Sequence, residues 1–192
     1  MNFKILAGAL VALLIHTGTA GAADYVVDTK GAHASINFRV KHLGYSWLTG
    51  RFDKFSGTFS FNPANPTASK IAIEIDTASV NSNHAKRDKH IRSKDFLDTD
   101  TYPKATFVST SMEKTGDMTG MVKGKLTLHG VTKEIGINVE YIGGGKDPWG
   151  GFRQGFAGKT SFAMADFGIS HNLGPASRMV ELDLHVEGKR KK

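Results

Sequence analysis

The feature that most constrains this chain is a two-residue period of apolar side chains that returns repeatedly after residue 35. Successive side chains of a strand point to opposite faces, so such a period builds sheets with one apolar and one wet face. Ile36, Phe38, Val40 and His42 share one parity against Ser35, Asn37, Arg39 and Lys41. Over 50–62, Phe55, Gly57, Phe59 and Phe61 oppose Lys54, Ser56, Thr58 and Ser60, and Asn62-Pro63-Ala64-Asn65-Pro66 ends the run. Ile71, Ile73 and Ile75 alternate with Ala72, Glu74 and Asp76, and Ala105 and Phe107 do so more weakly with Thr106 and Val108. Val122, Gly124, Leu126 and Leu128 lead to the turn His129-Gly130, beyond which come Ile135, Ile137, Val139 and Tyr141. Past a Gly-rich break at 143–151 follow Phe156, Gly158, Thr160, Phe162 and Met164, and lastly Val180, Leu182, Leu184 and Val186.

Eight such runs, with no helical period between them, predict an all-β protein: a sandwich or, preferred here, an eight-stranded antiparallel β-barrel. Gly57, Gly124 and Gly158 stand at inward parity. They either mark bulges and corners or leave room inside for a ligand, and an eight-stranded barrel is just wide enough for one. Residues 77–103 break the alternation. Asn81, Ser82 and Asn83 offer helix caps, and a short helical insertion is expected near 82–95. It carries Lys86, Arg87, Lys89, Arg92 and Lys94 against Asp88 and Asp95, with His84 and His90. Such a segment is either a solvated surface helix or a cationic cap at a barrel mouth that meets an anionic head group. Ile91, Phe96 and Leu97 would pin it down.

The N-terminus follows another grammar. Lys4 precedes an apolar run from Ile5 to Ile15, too short to span a bilayer, and Ala20-Gly21-Ala22 supplies a small-x-small exit. These are the parts of a signal peptide over 1–22, so the mature domain is expected at 23–192. Export gives the absence of cysteine a neutral meaning, since a domain of this length buries enough core without disulfides.

Chemistry is harder to find. The formal charge of +7 suggests nucleic acid, but four of the positive charges sit in Lys189-Arg190-Lys191-Lys192, expected to be a frayed end. Most phenylalanines have inward parity rather than lying among the cations as stacking platforms, so no nucleic-acid partner is expected. Transient contact with an anionic membrane surface suits an exported basic protein better. Gly158-Lys159-Thr160 lacks the first glycine of a phosphate loop, because position 153 is arginine. Asp166-Phe167-Gly168 has none of the other kinase motifs around it. His33, His42, His84, His90, His129, His171 and His185 include no pair spaced to make a metal face on a helix. No catalytic residues, metal or cofactor are expected, and the chain reads as a binding protein rather than an enzyme.

Several segments together resemble the YceI-like family. These are Asn37-Phe38-Arg39-Val40-Lys41-His42-Leu43-Gly44 with Gly50-Arg51-Phe52 and Phe55-Ser56-Gly57, then Arg87-Asp88-Lys89-His90-Ile91-Arg92-Ser93 with Asp95-Phe96-Leu97 and Tyr102-Pro103. Leu126-Thr127-Leu128-His129-Gly130-Val131-Thr132-Lys133, Asp147-Pro148-Trp149-Gly150-Gly151, Asp166-Phe167-Gly168-Ile169 and Leu173-Gly174-Pro175-Ala176-Ser177 continue the likeness along the chain. The resemblance implies a lipocalin-like eight-stranded barrel, a periplasmic location, and an elongated apolar cavity for a polyisoprenoid lipid. A homodimer is plausible for such a family.

On that footing the ligand-lining candidates are the inward residues Ile36, Phe38, Val40, Phe55, Gly57, Phe59, Phe61, Ile73, Ile75, Phe107, Val122, Leu126, Leu128, Ile137, Val139, Phe156, Phe162, Leu182 and Leu184. Head-group candidates are Arg87, His90 and Arg92 of the matching segment, with His42 nearby. Three other classes stay open, one of them a hydrolase or isomerase acting on the lipid, which would need convergent acid/base groups at the cavity wall. A stress-protective protein without a specific ligand would fill its barrel with side chains, and a haem or tetrapyrrole binder would place a histidine in the cavity.

Overall fold

The computed structural model describes residues 22–192, so the expected leader lies outside the described residues except for Ala22. In chain order the strands are β1 (Ala23–Val27), β2 (Ser35–His42), β3 (Ser46–Phe52), β4 (Phe55–Phe61), β5 (Lys70–Asp76) and β6 (Val80–Asn81). They continue with β7 (Lys104–Lys114), β8 (Thr119–Leu128), β9 (Val131–Lys146), β10 (Phe152–Ala163) and β11 (Met179–Arg190). A single α-helix among the described residues, α1 (Ala85–Arg92), separates β6 from β7.

Eight antiparallel strands close on themselves in the order β1-β4-β5-β7-β8-β9-β10-β11, with β1 returning to β11. The remaining three, β2, β3 and β6, form a flap that continues the sheet from β11. The eight-stranded barrel is as expected, but its membership is not. The run 35–42 belongs to the flap, and the circuit is completed by β1, a five-residue strand too short to display a period. Twelve-residue β11 makes this possible by dividing its partners: Val180–His185 pair with β2, and Gly188–Arg190 pair with β1.

The anticipated strand over 50–62 is two strands. The chain turns at Asp53-Lys54, where the Asp53 carboxylate accepts from Arg51 Nε at 2.6 Å and Asn81 Nδ2 at 2.8 Å. Inward parity reverses across the turn, from Phe52 to Phe55, and a single run read over 50–62 missed this break. In β7 the register shifts between Ser109 and Ser111, so Thr110 is an extra residue. Inward parity then moves from Phe107 to Met112, and this explains why alternation faded after 108. The basic C-terminus is not frayed either. Lys189 and Arg190 belong to the closing strand, and the Lys191 amide donates to Asp24 O at 2.8 Å.

Three clusters fill the interior. At the β1 end, Tyr25 stacks on Phe59 at 4.8 Å, and Phe61 meets Phe156 edge-on at 5.0 Å. Gln154, buried among them, accepts from the Tyr141 hydroxyl at 2.8 Å, so this aromatic plug has its polar groups paired. Phe107, Val122, Leu126, Ile137, Phe162 and Phe167 occupy the middle, where Phe167 is fully buried. Val80, Phe96, Leu97 and Ile169 join the flap and α1 to the barrel. Of the inward glycines, Gly158 borders the space inside the barrel, whereas Gly124 and Gly57 leave no voids of their own. A Cβ on Gly124 would stand 2.4 Å from the Phe107 ring, and one on Gly57 would stand 2.3 Å from Ile73 Cδ1. Each glycine is small because its neighbour's side chain lies across it.

Candidate functional site

Opposite the aromatic plug the barrel opens. A cavity of about 710 Å³ lies between the barrel wall, the flap and α1, within the roughly 300–1,000 Å³ typical of small-molecule sites. The expected residues Ile36, Phe38, Val40, Ile75, Leu126, Leu128, Phe162 and Leu182 line it. A second cavity of about 150 Å³ continues toward the plug, walled by Phe55, Phe59, Phe61, Ile73, Phe107, Val122, Ile137, Val139, Phe156 and Leu184. Ile36, Ile75, Leu126 and Leu182 belong to both walls and form the constriction between the two chambers. Gly57 is the one lining candidate outside both, because Ile73 covers it.

The flap and the insertion contribute walls that sequence parity did not indicate. Leu48 and Phe52 come from β3, Ile91, Phe96 and Leu97 from α1 and the turn after it, and Met164, Ile169 and Leu173 from the segment before β11. Leu48 and Phe52 share a parity opposite to that of Phe55–Phe61, and the single run read over 50–62 passed over it. The loop residues carry no periodic signal at all.

The mouth is where polar groups gather. His42, at the end of β2, and Arg87 and His90, on α1, line the cavity there. Arg92 does not. Its guanidinium turns under the helix, where Nη1 lies 3.4 Å from Val80 O, so Arg92 ties α1 to β6. The helix is capped one residue later than the sequence suggested: His84 Nδ1 accepts from the Arg87 amide at 3.2 Å. Ser82 serves instead as an anchor. Its amide and hydroxyl donate to buried Asp88 at 2.8 and 2.5 Å, while Arg87 Nε donates to its Oγ at 2.7 Å and Arg87 Nη2 to its carbonyl at 2.5 Å. Burial pushes the Asp88 carboxyl up, but donation by the Ser82 hydroxyl and amide outweighs it and leaves the group below the usual carboxylate range. This chain fixes Arg87 at the mouth.

The other side of the mouth is made by two tips. The β2–β3 hairpin turns through Leu43 and Gly44, both at positive φ. The second tip, Asn172-Leu173-Gly174, is fastened to β2 where Ser177 Oγ donates to Lys41 O at 2.5 Å. Leu43 is 59% exposed, Tyr45 88% and Leu173 36%, so the rim presents apolar side chains outward. Behind them Trp47 lies under the Arg39 guanidinium, 4.3 Å from the ring centre.

The tips also assemble a group the sequence kept apart. His90, Asp95 and His171 meet beside the mouth with one ligating atom from each within 4.8 Å of the others. No spacing rule finds such a cluster, because it depends on the 168–174 segment folding over α1. A larger open groove of about 920 Å³ lies on the outer face of the sheet, but Asn37, Arg39, Arg51, Lys159, Glu181 and Asp183 make it a wet surface. The apolar cavity inside the barrel is the better candidate site.

Comparison with known proteins places this geometry. The family described as the YceI-like domain matches residues 25–188. A UPF0312 protein of Shewanella baltica is 56% identical over 191 residues, covering 100% of both chains, and one of Shewanella oneidensis matches equally over the same share. Among solved structures, Burkholderia cenocepacia BcnA superposes with a TM-score of 0.76 at 25% identity, covering 84% of this chain and 98% of its own. A Campylobacter jejuni YCEI protein gives 0.71 at 31%, covering 80% and 91%. The fold is shared also with a polyisoprenoid binding domain from Saccharophagus degradans, at a TM-score of 0.65 and 22% identity, covering 89% and 100%.

Proposed function

The chain belongs to the YceI-like family, and we propose that it is an exported periplasmic carrier that holds a polyisoprenoid lipid in its barrel. The observation that carries this reading is a deep apolar cavity whose polar groups are gathered at its mouth. The structural relative from Saccharophagus degradans, described as a polyisoprenoid binding domain, supports the choice of ligand class. The prenyl chain enters past Leu128 and Phe162 toward the constriction, and the head group stays beside His42, Arg87 and His90. Nothing in this arrangement requires a chemical step.

Energetics explain why the mouth matters. Removing a five-carbon prenyl unit from water is worth roughly 3–4 kcal/mol, at about 0.8 per carbon. A long prenyl lipid therefore does not cross an aqueous compartment alone. Its alternatives are membrane and barrel, both apolar, so the hydrophobic term largely cancels between them. Cavity shape and head-group contacts then decide what is held. Loading and unloading occur with the rim against the bilayer, where Leu43, Tyr45 and Leu173 enter the interface and spare the lipid a passage through water.

Native mass spectrometry of the purified mature protein, followed by titration with prenyl lipids, tests the proposal. A co-purifying isoprenoid, or saturable binding at one lipid per barrel, is expected. Protein that emerges empty and binds no prenyl lipid overturns it.

A further inference from the structure

The cluster beside the mouth has the chemistry of a metal centre. Asp95 Oδ2 accepts from His90 Nε2 at 2.8 Å, and His171 Nδ1 lies 4.0 Å from the same oxygen. With zinc bonds near 2.0–2.2 Å and tetrahedral angles, ligand atoms stand about 3.4 Å apart. The observed distances bracket that value, and side chains that are half exposed at His90 and Asp95 adjust by such amounts through rotation alone.

The scaffold under these side chains is built rather than incidental. The His90 and His171 rings meet edge to face at 5.3 Å, and both pack on Phe96, at 5.0 and 4.9 Å. Phe96 is itself buried in the cluster that joins α1 to the barrel. The turn carrying Asp95 is fixed by Ser93, whose hydroxyl donates to His90 O at 2.8 Å and accepts from the Asp95 amide at 3.3 Å.

A second grouping serves as contrast. Asp28, His33 and Glu187 are as close together, but Arg153 and Lys189 already occupy their oxygens. Around Asp95, by contrast, the ion-pair partners among the described residues are His90 and His171. The excess cations of that cluster fill the role of a metal, and at the mouth the role is open.

We infer that His90, Asp95 and His171 form a binding site for a borderline divalent cation of the Zn²⁺ class. Two imidazole nitrogens and one carboxylate oxygen suit Zn²⁺, Co²⁺ or Ni²⁺ and disfavour Mg²⁺ and Ca²⁺, which prefer all-oxygen shells. Three protein ligands leave a position for water or a further oxygen ligand. His90 also lines the cavity, so the site lies beside its mouth. Binding of the ion itself needs no lipid, and its failure would leave the carrier reading untouched.

Calorimetric titration of chelator-treated mature protein with ZnCl₂ tests the inference, with Co²⁺ added separately for its visible spectrum. One Zn²⁺ per chain is expected, Mg²⁺ should give no heat of binding, and Co²⁺ should show the intense absorption of a low-coordinate site. His171→Ala and Asp95→Asn should each weaken Zn²⁺ more than about tenfold, while His33→Ala should leave it unchanged. Circular dichroism melts confirm that the variants are folded, and His171, on an exposed loop, is the safest of them to alter. Absence of saturable Zn²⁺ binding overturns the inference. So does binding that survives both His171→Ala and His90→Ala, or that His33→Ala abolishes.

Discussion

Leu43 is a residue in the wrong conformation for its type. Its φ of 52° is left-handed, which costs a branched apolar side chain about 1–2 kcal/mol, yet the side chain is 59% exposed and packs no core. Asparagine tolerates this backbone far better. Leu43→Asn should raise stability by up to about 1 kcal/mol in denaturant melts while weakening co-sedimentation with anionic vesicles. A variant that gains stability and keeps full vesicle binding would remove Leu43 from the proposed membrane contact. At this scale the sequence was legible wherever parity governs. Ile36, Phe38, Leu126 and Leu182 face the cavity as their alternation requires. It was misleading where one neighbour decides, as at Gly57, whose emptiness Ile73 takes up. The same holds for Arg92, whose charge answers a backbone carbonyl instead of the mouth.

Among the elements, the seam of the barrel is the most exposed to charge. β1 meets β11 over three residue pairs, and just beyond them Asp28 gathers His33, Arg153 and Lys189 at 2.8–3.0 Å. Burial alone would raise the Asp28 carboxyl. Donation from His33, Lys189, Arg153 and the Gly31 amide overcomes it and holds the group far below the usual carboxylate range. Arg153 in turn contacts Glu187 and accepts no substitute geometry, since Asp147 binds its Nε at 3.0 Å. A carboxyl whose folded value is depressed stabilises the fold above its unfolded value near 4, and that contribution is lost as pH falls. The melting temperature should therefore drop steeply below about pH 4. Asp28→Asn should flatten this acid limb while lowering stability at pH 7 by roughly 3 kcal/mol, because Arg153 and Lys189 then face a neutral partner. An unchanged acid limb would show that the seam does not govern acid unfolding. None of this network was visible beforehand, since Asp28, Arg153 and Glu187 at its centre lie far apart in sequence and share no motif. The strands themselves were visible except where they were short, as in β1 and β6, where a bulge reversed their parity, as in β7, or where β3 was run together with β4.

For the whole molecule, the two chambers set a length scale. Ile36, Ile75, Leu126 and Leu182 separate about 710 Å³ at the mouth from about 150 Å³ near the plug. A chain that fills the first passes between these side chains to reach the second. Leu126→Phe should close the constriction at a stability cost of about 1–3 kcal/mol and shift retained lipids toward shorter prenyl chains in native mass spectra. An unaltered length distribution would mean that the inner chamber holds no ligand. The barrel as an architecture was legible because eight alternating runs leave few other solutions. Its mouth was not, because loops and a flap build it, and loops follow local contacts rather than a period.

The seam also dictates the order of assembly. The strand that begins at Ala23 finds its second partner only at Gly188–Arg190, at the far end of the chain. A polypeptide delivered from its N-terminus therefore remains an open sheet, with a bare edge on β11's side, until its final residues arrive. Such a long-range pairing is the slowest kind to form, because the loop it closes is the entire domain. Ring closure is therefore expected last in folding, and the basic tail that first looked like a loose end is the clasp.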